Sequence, residues 1–302
     1  MPAVKARGRP ATEFTSDQLK TLAELLAIAP GLGLPNVRAA LPEAPVAALR
    51  EALRAHKQEL RSGRRSSLAG CRWDRAGAVW ALDGTETEAP IDGCYPKALV
   101  VRDLASRRIL AMAPVLGERA EATRSLLLEL FIRHSPPLIL KSDNGSAFTG
   151  SELGRLLEQW SVIPLLSPPA TPRYNGSVEA SIKTLNRRVE RAAAGSGRPG
   201  LLRSEDLIQA MEISNELLRP WGHQGPTPDE VWRAREPITP AERQAFGKSL
   251  SDSRRALRNE AVRLNSGEAT PARLERQAIT RALEECGILE MRRGRIAPVI
   301  PR

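Results

Sequence analysis

Three acidic side chains stand where chemistry can be done. Asp83 follows the short apolar run Gly77–Leu82, Asp143 follows the apolar run Pro137–Leu140 and precedes Asn144-Gly145, and Glu179 lies early in a long helical stretch. Strand ends carry side chains to one rim of a sheet, where α/β proteins build sites, and a helix packed beside that rim can add a third carboxylate. Carboxylates converging in this way repel one another unless a cation is held between them. Mg²⁺ takes oxygen ligands and keeps several waters, so a few acids and a substrate phosphate suffice. Two such ions about 4 Å apart activate an oxygen nucleophile and stabilise a leaving oxygen, which suits attack on a phosphodiester. Taken singly, an Asp at a strand end is an ordinary turn residue.

The flanking motifs narrow the choice. Asp143 sits in Lys-Ser-Asp-Asn-Gly-Ser-Ala-Phe (141–148), Glu179 ends Ser-Pro-Pro-Ala-Thr-Pro-Arg-Tyr-Asn-Gly-Ser-Val-Glu (167–179), and 35 residues separate the two acids. Asp83 sits in Trp80-Ala81-Leu82-Asp83-Gly84-Thr85, and Trp221–Trp232 reads Trp-Gly-His-Gln-Gly-Pro-Thr-Pro-Asp-Glu-Val-Trp. Over about 76–235 the chain resembles the catalytic core of retroviral-type integrases and the related bacterial insertion-sequence transposases, the DDE family with a ribonuclease H-like fold. The resemblance implies a DDE polynucleotidyl transferase that hydrolyses DNA ends and joins the freed 3′-OH to target DNA. It implies Asp83, Asp143 and Glu179 as both catalytic residues and metal ligands for two Mg²⁺ ions, with Mn²⁺ able to substitute. Asn144 and Asn175-Gly176 would shape the surrounding loops. Glu86, Glu88 and Asp92 crowd the first acid, and one of them could be an accessory acid. The other readings are a DNA-binding regulator or targeting subunit that keeps the fold, and a ribonuclease H-like nuclease.

The elements that position these acids follow from periodicity. Lys97–Val101 and Arg108–Val115 read as a hairpin, 118–134 as a helix, Pro137–Leu140 as a buried strand, Ser151–Trp160 as a helix, Val162–Leu166 as a strand, and 176–194 and 205–218 as helices. That order predicts an α/β, ribonuclease H-like mixed-sheet core at 76–240. On its long helix Lys183, Asn186 and Arg187 share the face of Glu179, where they could hold DNA phosphates.

Two basic flanks surround this core. Residues 1–75 carry 13 Lys/Arg against 7 Asp/Glu, residues 241–302 carry 13 against 8, and residues 76–240 carry 19 against 20, within a net charge of +10. Such arms attract a polyanion, here DNA as element ends and target. Helices at about 16–28, 36–41 and 46–61 predict a helical, helix-turn-helix-like DNA-binding domain at 1–75, with Arg50, Arg54, Lys57 and Arg61 on one stripe of the third. A solvated amphipathic helix is the alternative. The apolar Leu22, Leu25 and Leu26 look too many for so small a domain to bury. With only His56 and Cys71 there, the His/His/Cys/Cys zinc site of retroviral integrases cannot form.

At 241–302 a small basic α+β domain is expected. Its helices run from Ser251-Asp252 and from Thr270-Pro271, and a hairpin of Ile288–Met291 with Ile296–Ile300 carries Arg292, Arg293 and Arg295 to DNA. The three cysteines are far apart and no stretch is apolar enough to span a membrane, which fits a cytoplasmic, nucleoid-associated bacterial protein. A homo-oligomer on DNA and accessory transposition proteins complete the expectation.

Overall fold

The computed structural model describes residues 14–29, 31–67, 69–117, 120–143, 145, 150–168, 176–263, 270–293 and 300–301. The chain forms two compact units, Met1–Gly70 with Arg292–Arg295, and Cys71–Met291 with Ile296–Arg302.

The first unit contains α1 (Ser16–Ile28), α2 (Leu34–Ala40) and α3 (Val46–Ser67). Thr15 and Gln18 cap α1 reciprocally, and Pro35 occupies the first turn of α2. Leu22, Leu26, Val37, Leu41, Ala44, Leu49 and Leu53 form its core. Leu22 and Leu26 are therefore buried within their own unit rather than left for a partner, because α2 and α3 cover them.

The second unit is built on a mixed five-stranded sheet. Its strands are β2 (Val79–Ile91), β3 (Tyr95–Asp103), β4 (Ile109–Val115), β5 (Ile139–Ser142) and β6 (Ile163–Leu166), in the order β4-β3-β2-β5-β6. The β2–β3 and β3–β4 pairs are antiparallel, and the β2–β5 and β5–β6 pairs are parallel. This is the ribonuclease H-like α/β core expected from the sequence. Val79–Leu82 is buried on both faces, as a central strand must be, and the polar residues after Asp83 leave the core as an antiparallel ribbon with β3.

On one face α4 (Ala120–His134) and α5 (Ser151–Gln159) bury Leu127, Leu130, Phe131, Leu153, Leu156 and Leu157 against Trp80, Leu82, Leu99 and Leu140. On the other, α6 (Gly176–Gly195) lays Val178, Ile182, Leu185, Val189 and Ala193 against Ala81, Ala98, Val100 and Ile109, and α7 (Ser204–Glu212) joins it through Leu207 and Ala210. A π-helical turn follows at Ile213–Leu217, where the Asn215 amide accepts from Ile109 N at 2.8 Å and donates to Ile109 O at 2.9 Å. This pairing satisfies backbone groups on the edge strand β4.

The Trp221–Trp232 segment packs into this core. Thr227 and Glu230 make a capping box for α8 (Pro228–Ala234), whose Trp232 ring lies 6.3 Å from that of Trp80. The Arg235 guanidinium stacks 3.3 Å from the centroid of Trp232 and donates to the carbonyls of Trp232 and His134.

The stretch 241–302, expected as a domain of its own, shares a core with the sheet. A single long helix, α9 (Pro240–Arg263), runs through Ser251-Asp252, so that pair is mid-helix rather than a cap. Phe246 and Leu250 of α9, with Ala278, Ile279, Ala282 and Leu283 of α10 (Pro271–Glu285), bury Val79, Ile139 and Leu165. The hairpin expected at the C-terminal end falls largely on residues outside those described. β7 (Leu289–Arg293) pairs with β1 (Ala69–Trp73), and all of 296–300 but Ile300 lies outside the described residues.

Thr239 and Glu242 start α9. Glu242 accepts from Thr239 N at 2.9 Å and from Arg75 Nε at 2.9 Å, and the Arg75 hydrogen bond and charge, with the cap, pull its carboxyl down to about 2. A folded pKa below the unfolded 4.5 stabilises the fold above pH 4.5, and that contribution is lost as pH falls toward 2. Glu242 is partly exposed, so Glu242→Gln is expected to cost about 1 kcal/mol at pH 7. In urea titrations at pH 7 and pH 3 the gap between variant and parent should narrow at pH 3. An undiminished gap would show that the Arg75–Glu242 charge pair does not stabilise the fold.

Candidate active site

Register places the first two acids just beyond a paired position of neighbouring strands. Ala81 of β2 pairs with Lys141 of β5, and Asp83 and Asp143 each lie two residues further on. Neighbouring strands lie about 4.8 Å apart, and residues two apart share a face. Asp83 and Lys141 therefore stand on the Ala81 face of the sheet, the face covered by α6, and Asp143 follows directly on the end of β5. Asp83 is not at the end of its strand, as the sequence suggested. It lies mid-strand, still paired with Val100 of β3, and two residues beyond the last parallel partner on β5.

Helix α6 brings the third. Asp83 and Glu179 line one cleft of about 460 Å³ together with Thr85, Glu86, Glu88, Lys183, Asn186, Arg187 and Glu190. Five carboxylates against two cations make the cleft a place for positive charge. The Asn186 amide donates to Thr85 Oγ1 at 2.8 Å and to Glu86 O at 3.1 Å, which pins α6 to β2. Asn186 thus holds the helix in place. Lys183 and Arg187 are exposed on the cleft wall. Of the acids near Asp83, Glu86 and Glu88 line the cleft, whereas Asp92 accepts from Ser204 N at 3.1 Å and Ser204 Oγ at 2.5 Å at the start of α7.

Asp143 follows β5 directly, and its Oδ1 accepts the Gly145 N–H at 2.9 Å. It does not line the cleft of Asp83 and Glu179, and among the described residues no group of three His, Cys, Asp or Glu side chains lies within reach of one metal ion. The donor set is nonetheless of the kind a hard divalent cation takes, carboxylate oxygens without thiolate or imidazole.

Sequence reasoning missed Lys141. Its side chain is 7% exposed, and burial pushes its ammonium down to about 8 against the opposing pull of Cys71, Asp83 and Glu179. A buried cation beside Asp83 and Glu179 offsets some of their mutual repulsion. The two-residue period back from Asp143 along β5 is the signal that places it there.

The other expected DNA-facing residues divide. Arg50, Arg54 and Lys57 are exposed on α3 of the first unit. Arg61 lies in α3 and Arg293 in β7, but their side chains are outside the described residues, as are Asn144 and Arg295 altogether. Arg292 is exposed on β7. No described helix is long and apolar enough to cross a membrane.

Residues 74–172 match the family model of the integrase core domain. The chain is 31% identical over 123 residues to an insertion element IS136 protein of Agrobacterium fabrum, which covers 38% of this chain and 63% of that protein. It is 32% identical over 77 residues to the intracisternal A-particle Pol-related polyprotein of a mouse particle, covering 26% of this chain and 9% of the polyprotein. The chain thus spans less than two thirds of the curated relatives it matches. Among solved structures, the catalytic core domain of BIV integrase superposes with a TM-score of 0.43 at 23% identity, covering 52% of this chain and 94% of that one.

Proposed function

We propose that the protein is a metal-dependent DNA strand-transfer enzyme that hydrolyses element ends and joins the freed 3′-OH to target DNA, a reading supported by the match of residues 74–172 to the integrase core domain and by the likeness to an insertion element IS136 protein. The observation that carries this reading is the carboxylate-rich cleft that Asp83 and Glu179 line together, with Asp143 directly following β5, the strand that runs parallel beside that of Asp83. Those three side chains would hold the metal. Two bound divalent ions, Mg²⁺ or Mn²⁺ in its place, would polarise the attacking oxygen and neutralise charge on the leaving 3′ oxygen.

The chain's own residues supply the rest. Lys183 and Arg187, on the cleft wall, hold the phosphates flanking the reacting one. Lys141 keeps the acids close by shielding their charge, and Asn186 fixes the helix that carries Glu179. Water attacks first, breaking a P–O3′ bond and releasing a 3′-OH, which then attacks a target phosphodiester and displaces the target strand's own 3′ oxygen. Purified protein with Mg²⁺ and a labelled element-end duplex tests the proposal, with nicked and joined products expected. Cleavage and joining absent in both Mg²⁺ and Mn²⁺ on the element's own ends would overturn it.

The division of labour belongs to the same proposal. Residues 1–75 grip the ends, 76–240 carry out the chemistry, and 241–302 add further hold on DNA through Arg292, Arg293 and Arg295. Two ends joined to one target need at least two copies on the DNA, in a bacterial cytoplasm and alongside any accessory transposition proteins. Replacing Arg50, Arg54 and Lys57 together by Ala is expected to weaken end binding. The slope of log affinity against log salt should flatten by up to about 2.7, at about 0.9 for each phosphate no longer neutralised. A slope equal to that of the parent would remove α3 from the interface.

A further inference from the structure

Behind α6, apart from the carboxylate cleft, a second cavity of about 230 Å³ opens between β3, β4, α6 and the π-helical turn. Arg102, Arg107 and Arg188 line it with Ser181, Thr184 and Ser214. Its floor is apolar, from Val100, Ile109 and Leu185. The proposed strand-transfer chemistry uses none of these arginines.

Their partners leave their charge standing. Arg102 Nη1 donates to Ser181 Oγ, whose own proton goes to Val178 O at 2.7 Å. Arg188 Nη1 donates to Ser214 Oγ at 3.1 Å, whose proton goes to Ala210 O at 2.6 Å. The same device is used twice: a helix-borne hydroxyl, fixed by a carbonyl of its own helix, orients a guanidinium without neutralising it. Arg107 lies 5.4 Å from the centroid of Trp221, again a neutral partner. Among the described residues no carboxylate forms an ion pair with any of the three. Asp103, next to Arg102 in sequence, is taken up by Gly77 and Ser106.

Arg102 Nε is buried with no hydrogen-bond partner. Burial, followed by the charge of Arg107, pushes the Arg102 guanidinium down to about 10, and burial lowers Arg107 and Arg188 as well. A guanidinium with a buried, unpartnered Nε and no ion-paired carboxylate is costly, and guanidinium forks match a tetrahedral oxyanion in geometry and charge.

We propose that this cavity is a phosphate-binding site, in which Arg102 and Arg188 are the principal ligands and Arg107 closes one side. Its volume suits a single phosphate group with its waters rather than a whole nucleotide. The group comes either from the DNA backbone or from free inorganic phosphate. The proposal stands independently of the carboxylate site, since phosphate binding needs neither metal nor cleavage.

Isothermal titration of the full chain with inorganic phosphate at constant ionic strength tests it. Saturable one-site binding is expected, weakened about tenfold or more in Arg102→Gln and in Arg188→Gln. Arg102→Lys keeps the charge without the fork and should fall between. Thermal unfolding checks that the variants fold, and Arg188, the less buried of the two, serves if Arg102→Gln does not. Absence of saturable phosphate binding in the parent, or parent-like binding in both folded Gln variants, overturns the proposal. Duplex DNA then separates the sources. If the phosphate belongs to DNA, Arg188→Gln lowers the salt slope of DNA affinity by about one and duplex competes with phosphate. An unchanged slope with phosphate binding intact assigns the site to free phosphate.

Discussion

Glu179→Gln is expected to lower DNA cleavage and joining by about a thousandfold or more, while affinity for element-end duplex changes less than about twofold. A loss of that size corresponds to roughly 4 kcal/mol of barrier, the order expected when a metal-holding charge is removed. Gln keeps the shape of the side chain, and Glu179 is exposed at the cleft, so folding is not at stake. In the proposed division of labour DNA affinity rests on the cationic flanks and is spared. Asp83→Asn and Asp143→Asn should behave alike. The Asp143 variant separates two roles, because an Asn Oδ1 still accepts the Gly145 N–H that closes the turn. Its loss of activity with an unchanged melting temperature would point to charge rather than loop shape. Near-parental strand transfer by any one of the three variants would sink the assignment of that residue.

Asp103→Ala is expected to destabilise the second unit by about 3–5 kcal/mol, lowering its melting temperature by roughly 10 °C. The carboxylate is fully buried and accepts from Gly77 N at 2.9 Å, Ser106 N at 2.7 Å and Ser106 Oγ at 2.7 Å. Burial pushes its pKa up, while those hydrogen bonds and the Arg235 charge pull the other way. Removing the acceptor strands two buried backbone N–H groups and loosens the turn from Asp103 to Arg108, where Arg107 holds a φ of 63°. Gly77 itself stands at a φ of 83°, where an added Cβ would come within 3.3 Å of Arg235 Nε. Urea unfolding followed by circular dichroism measures the change. A loss below about 1 kcal/mol would mean that water replaces the carboxylate, and that Asp103 is not a keystone of the turn.

Much of this architecture is written locally. The alternation of apolar runs and amphipathic stretches from Val79 to Gly195 marks sheet and helices, and the residues around Asp143 and Glu179 mark the site. What escaped is physical in origin. β2 reads as ending near Leu82 because its continuation, Gly84-Thr85-Glu86-Thr87-Glu88, has no apolar face and is held by β3 and by Asn186 of α6, both distant in sequence. The start of α9 was legible in Thr239-Pro240-Ala241-Glu242, a capping pattern with proline in the first turn, but the Ser251-Asp252 pair is an equally good local cap. The basic charge of 241–302 suggests a DNA-facing module and masks the stripe of Phe246, Leu250, Ile279 and Leu283 that packs on the sheet. The β1–β7 pairing joins segments more than two hundred residues apart, and no local pattern announces it. Lys141 was overlooked because a lysine in an apolar strand reads as an edge residue, whereas here it stands among acids that can share its charge.

The packing of α9 and α10 on the sheet also sets an order of events on the ribosome. Val79, Ile139 and Leu165 are all made before Glu179, but their cover arrives with Phe246 and is complete only near Leu289, 110 residues after Glu179. Until then the nascent sheet carries an uncovered apolar face, the kind of surface that chaperones hold and that favours misassembly. A scaffold that closes this late leaves Asp83, Asp143 and Glu179 on an incomplete fold for most of the chain's own synthesis, so the proposed activity would appear only once translation nears its end.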